Sequence, residues 1–150
     1  MNSFFKINML FLIVGINFPL KVFSLELGSQ GPGGGIVFYV ENSGSHGLEA
    51  KATDEGIVFG WTSTGANISW NEAISAAKAY GPGWRLPTKD ELNMLYQQQA
   101  VVGGFTNVYY WSSSIMDDDS SSVLSQGFGR GNQEAASKNN SLRVRAVRDF

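Results

Sequence analysis

The sequence predicts an α+β domain, with helices in the middle of the chain and strands to either side. Two observations carry this. Paired helix-start signals bracket Trp84-Arg85-Leu86-Pro87-Thr88, and short runs of β-branched and aromatic residues come before them and cluster after them.

The N-terminal segment stands apart from that pattern. Lys6 precedes the apolar run Met9 to Phe18, Pro19 breaks it, and Val22-Phe23-Ser24 offers small residues where a signal peptidase reads. Residues 1–24 therefore read as a cleaved secretory signal, because the apolar run is about ten residues where a membrane span needs roughly 20. No Cys follows it to take a lipid anchor. The expected location is exported: secreted, at the cell surface or in the periplasm. The rest divides into a glycine-rich lead-in, residues 25–35, and a single domain, residues 36–150.

Removing Lys6 and Lys21 from the 11 basic residues leaves 9 against 13 acidic ones, a formal charge of −4. That balance argues against a nucleic-acid partner held by phosphate neutralisation. With no Cys in the chain, disulfides, thiol chemistry and a cysteine zinc site drop out, and the domain must rely on packing.

Each element has a local reason. Gly28 to Gly35 reads as a flexible turn into a buried strand, Ile36-Val37-Phe38-Tyr39-Val40; its three Gly-X-Y triplets are too few for a collagen helix. Asn42 to Glu55 is polar and turn-rich, and Ile57-Val58-Phe59-Gly60-Trp61 reads as a second strand. Ser69-Trp70-Asn71-Glu72 opens the first helix as a capping box, Ala73, Ala76, Ala77 and Tyr80 form its apolar stripe, and Gly81-Pro82-Gly83 stops it. Thr88-Lys89-Asp90-Glu91 opens the second, with Leu92, Leu95 and Tyr96 on one face, and it fades before Gly103-Gly104. Val108 to Trp111 and Val123 to Phe128 read as strands separated by a polar loop, Ile115 to Ser122. Turns follow at Gly129 to Asn132 and Lys138 to Asn140. Leu142-Arg143-Val144-Arg145-Ala146 alternates apolar and basic residues, as a half-buried strand does.

The catalytic constellations find no support. His46 is the single histidine, which leaves a histidine triad or a multi-histidine metal site without a second partner. Ser75-Ala76-Ala77-Lys78 matches a Ser-x-x-Lys pattern but lies inside an amphipathic helix with no Ser-Asp-Asn or Lys-Thr-Gly after it. Asp117-Asp118-Asp119 lacks EF-hand spacing and reads as a solvated loop, so neither metal nor cofactor is expected. Trp84 and Arg85 read as a structural junction between helix and sheet, with Arg85 paired to a buried carboxylate or to carbonyls. Trp111 beside Ser112 to Ser114 has two readings: an aromatic platform for a sugar ring, or a core residue.

Four motifs in order, Gly33 to Val40, Trp84 to Leu92, Tyr110 to Ser114 and Leu142 to Arg148, resemble the C-terminal domain of the Legionella collagen-like adhesin. The segment Ser69 to Glu91 is also similar to the helix, Arg-Leu-Pro-Thr, helix region of formylglycine-generating enzymes. Together these resemblances imply a C-type-lectin-like fold: two helices, a mainly antiparallel sheet, and adjacent N- and C-terminal strands. Those enzymes act through cysteines, so their oxidase activity does not carry over to this chain. The calcium motifs of sugar-binding C-type lectins, Glu-Pro-Asn or Gln-Pro-Asp with Trp-Asn-Asp, are also missing; Trp70-Asn71-Glu72 is a near miss.

The adhesin resemblance implies binding of sulfated, glycosaminoglycan-like polysaccharide through basic side chains, for which Arg130, Lys138, Arg143 and Arg145 are the candidates. The expected function is thus a non-enzymatic, exported binding or adhesion module for a polysaccharide or surface ligand. The alternative is a protein-interaction or surface-assembly subunit, and a homo-oligomer stays open in either case.

Overall fold

The strands fall into two antiparallel sheets with helices between them in sequence, as the α+β expectation requires. A computed structural model describes residues 24–42, 44–54 and 68–150. Residues 1–23 of the expected leader and the strand expected at 57–61 lie outside the described residues.

The first sheet joins β1 (Ile36–Val40), β2 (Gly47–Ala50) and β6 (Val147–Asp149) in the order β1-β2-β6. The first and last strands therefore share a sheet, with β2 between them. β2 falls inside the stretch expected to be turns, and the reason is compositional. Gly47-Leu48-Glu49-Ala50 holds no β-branched or aromatic residue, yet all four positions are buried because the strand is central.

The second sheet is a meander of β3 (Tyr109–Met116), β4 (Asp119–Gly127) and β5 (Gln133–Ser137). The polar loop expected from Ile115 to Ser122 is instead the tip of the β3–β4 hairpin, in which Ile115 faces Val123 and Met116 faces Asp119. Asp117-Asp118 lacks the Asn-Gly type of hairpin signal, so nothing local announces so tight a turn. The Asp119 carboxylate fixes the ascending strand, accepting from the Ser121 amide at 2.9 Å and from the Ser121 and Ser122 hydroxyls at 2.6 Å each.

Three helices complete the described fold: α1 (Trp70–Lys78), α2 (Lys89–Gln97) and the short α3 (Gln99–Val102). The α2 start is a reciprocal capping box: the Thr88 amide donates to Glu91 at 2.8 Å and the Glu91 amide donates to the Thr88 hydroxyl at 3.3 Å. At α1 the Glu72 carboxylate accepts from both the amide and the hydroxyl of Ser69. Ala73 and Ala77 are buried as the stripe requires, but Tyr80 lies beyond the helix end and is exposed.

Successive residues of β3 serve two cores, because a strand points alternate side chains to opposite faces. Trp111 packs with Val123, Ala136, Leu86 and the α1 alanines. Tyr110 packs with Phe128, Val147 and the α2 residues Leu92 and Leu95. The meander therefore packs against a core on each face.

Candidate functional site

Of the five residues the sequence nominates for ligand contact, two are in the core. Trp111 is 0% exposed, and its indole N–H donates to the Ile68 carbonyl at 2.6 Å. The core reading of Trp111 holds, and no face of it is left for a sugar. Arg145 is likewise 0% exposed. The alternation of apolar and basic residues does not mark a half-buried strand here: Val144, Arg145 and Ala146 are all buried, and the laddered strand begins only at Val147.

Arg145 is buried because every donor it owns is used. Its Nε and Nη2 donate to one Asp54 oxygen at 2.9 and 2.6 Å, Nη2 also reaches Gly104 O at 2.8 Å, and Nη1 reaches Lys51 O and Gly103 O at 3.0 and 2.9 Å. Five N–H groups thus meet five acceptor contacts, while the Phe105 ring lies 3.8 Å beneath the guanidinium. The second Asp54 oxygen accepts from the Tyr110 phenol at 2.8 Å and from Arg143 at 3.0 Å. Burial pushes the Tyr110 phenol above its ordinary pKa and Asp54 adds to the rise, against the bonds from Thr106. Arg143, with its side chain 25% exposed, is thus committed to Asp54 at one end.

A second buried carboxylate explains the glycine-rich lead-in. Glu49, 0% exposed, accepts from the amides of Gly33 and Gly35 at 2.7 and 2.8 Å, and Arg148 approaches to 3.4 Å. The lead-in is the expected turn into β1, tied down by these bonds. A Cβ at Gly35 would sit 2.7 Å from the Ala50 carbonyl, and one at Gly31 would sit 2.5 Å from the Glu49 carboxylate, so these positions demand glycine.

Arg85 is a clamp between α2 and β6. It meets Glu91 with two bonds of 2.7 and 2.8 Å and reaches Asp149 at 2.9 Å. For Glu91, burial is the largest single influence and acts upward. The bonds from Arg85 and Thr88 together outweigh it and hold the carboxyl below its ordinary pKa. The Arg85 guanidinium is in turn shifted upward, by Glu91 first and by Asp149 as well, against its partial burial.

Arg130 is exposed and Lys138 is half-buried like Arg143 but tied to no carboxylate by an ion pair among the described residues, and the structure does not bring the two together. They lie beyond opposite ends of β5, roughly 15 Å apart by strand rise. Lys138 sits over the Trp70 ring at 4.5 Å, and its charge helps the Ser121 and Ser122 hydrogen bonds hold Asp119 down to about 2. Arg130 instead borders an open depression of about 490 Å³ whose lining includes Asn107, Tyr109, Gly129, Asn132 and Glu134. There the Asn132 amide donates to the Tyr109 phenol oxygen at 2.6 Å and to the Glu134 carboxylate. The cluster forms because Asn132 and Glu134 flank the first residue of β5 and the bare Gly127 lies opposite Tyr109.

No helix among the described residues is long and apolar enough to cross a membrane. Among curated proteins nothing matches the chain. A family model, the Lcl C-terminal domain, matches residues 46–148. That span is well over half of the chain and takes in β2, both packed faces of the meander, the Asp54 cluster and the Arg130 depression. The chain belongs to the family of the C-terminal domain of Lcl, the Legionella collagen-like adhesin, and carries an adhesin-like domain.

Proposed function

We propose that this chain is an exported, non-enzymatic adhesion module that binds a polysaccharide with the strand-rich end of the domain. The observation that carries the reading is the division of labour among its arginines. Arg145, Arg143 and Arg85 are tied to carboxylates inside the fold, while Arg130 stands exposed on a polar depression that none of the core contacts uses. Family membership supports adhesion as the role. The buried carboxylates have structural occupations: Asp54 holds two arginines and Glu49 holds the lead-in loop.

For a sulfated polysaccharide the usable cations are Arg130 and Lys138, spaced along β5 so that they would meet two separate sulfates of an extended chain. The test is retention of the full-length protein on immobilised heparin across a salt series. Salt-sensitive retention that drops when Arg130→Ala and Lys138→Ala are combined supports the sulfated ligand. Absence of retention by folded protein overturns it.

A further inference from the structure

We propose that the depression beside the β4–β5 turn recognises the hydroxyl groups of an uncharged saccharide unit, and so selects for sugar identity where heparin-type binding selects for charge. This rests on the polysaccharide-binding reading above and gives it a specific chemistry.

The first argument is charge. Arg130 and Glu134 both line the depression, so its formal charge cancels. A sulfate placed there would gain one guanidinium and meet one carboxylate, whereas a hydroxyl can donate to the carboxylate and accept from the guanidinium at once. Among the described residues Arg130 has no ion-pair partner, unlike Arg85, Arg143, Arg145 and Arg148, each of which is paired. Its five donors are therefore open to a ligand.

The second argument is preorganisation. The Asn132 amide holds both the Tyr109 phenol and the Glu134 carboxylate, so these two groups have fixed positions before any ligand arrives. Because Tyr109 accepts from Asn132, its own O–H proton remains for donation, and Glu134 keeps its second oxygen for an incoming hydroxyl. An acceptor, a donor and a guanidinium fork around one opening match adjacent ring hydroxyls, each of which both donates and accepts. Fixed partners of this kind lower the ordering cost of binding.

The third argument is shape. Gly129 leaves the wall without a side chain, and Val108, 41% exposed, supplies an apolar surface for the C–H face of a ring. A Cβ built on Gly129 meets nothing closer than 3.4 Å, so a larger residue there fits the backbone and can block the opening.

The test measures affinity of the full-length protein for neutral gluco-, manno- and galacto-oligosaccharides and for heparin, at low and high salt. Folding of every variant is checked by circular dichroism. The expected result is that a neutral oligosaccharide binds with affinity unchanged by salt to within about twofold. Glu134→Gln and Tyr109→Phe each weaken it by roughly tenfold, the size of a lost hydrogen bond to a charged or buried partner. Gly129→Leu abolishes it. Neutral binding that ignores all three variants overturns the site. Heparin retention without any neutral binding overturns this inference but leaves polysaccharide binding standing, and failure of every glycan to bind folded protein overturns both.

Discussion

Arg145 and Arg130 are the same residue type put to opposite uses in two regions of one domain. Around Arg145 the chain wraps three carbonyls, a carboxylate and an aromatic ring, leaving the side chain no solvent and no spare donor. Around Arg130 the chain makes a tight turn that exposes the side chain beside a polar depression. The difference teaches that net charge is a poor guide to a ligand surface here. Four of the five arginines are spent on Glu91, Asp54 and Glu49, and only Arg130 stands outside these pairs.

If that contrast is right, substitutions in the two regions separate cleanly, and the largest effect belongs to Asp54. Asp54→Ala strands a fully buried Arg145 and should cost about 3–5 kcal/mol, the usual penalty for breaking a buried pair from one side. That is a large part of the roughly 5–15 kcal/mol by which a domain is stable, so the urea midpoint should fall steeply or folding should fail. A loss under about 1 kcal/mol would mean that the cluster is not structural and would break the comparison.

The lead-in loop comes next. Gly35→Ala drives a methyl group against the Ala50 carbonyl, a backbone contact that cannot swing aside, and overpacking of this kind costs about 1–3 kcal/mol. Gly34 offers the internal control for space, since a Cβ there meets nothing within 4 Å; its φ of +80° alone disfavours a side chain. Thermal melts of Gly35→Ala and Gly34→Ala should therefore both fall, with Gly35→Ala falling further.

Smaller again is the pH dependence at the Arg85 clamp. Glu91 is held below its ordinary value of 4.5 in the folded chain, so its contribution is fully present above that pH and is withdrawn as pH falls through the lower folded value. The partial exposure of Arg85 limits the pair to about 1 kcal/mol. Acid titration of stability should show a shallower decline below pH about 4.5 in Glu91→Gln than in the parent. Parallel curves would assign the acid sensitivity to other carboxylates.

Much of this fold was legible in the sequence because local signals agreed with tertiary needs. Ser69 and Thr88 mark both helix starts, and Ile36 to Val40 has the β-branched and aromatic content of a strand, although only Val37 and Phe38 of it are buried and Tyr39 is exposed. What escaped was decided by partners far away in the chain. Gly47 to Ala50 is a central strand because β1 and β6 flank it, while Glu49 becomes tolerable inside because Gly33 and Gly35 turn their amides to it and Arg148 pairs with it. Arg145 reads as an outward-facing strand residue until Asp54, 91 positions away, is placed against it. Arg130 was legible as a turn residue, but its neighbours Tyr109, Asn132 and Glu134 come together only through the register of β3, β4 and β5.

The smallest effect on stability sharpens the contrast most. Arg130→Ala and Glu134→Gln remove exposed groups with no part in either core, so the unfolding midpoint should stay within about 0.5 kcal/mol of the parent. Glycan affinity should nevertheless fall, because each removed group faces the opening and not the interior. A binding defect with unchanged stability separates the depression from the Asp54 cluster, where any loss of binding must come with loss of fold. Urea melts and binding measured on the same samples decide it. A stability loss for Arg130→Ala as large as that for Asp54→Ala would mean that the turn is part of the scaffold, and the division between the two regions would collapse.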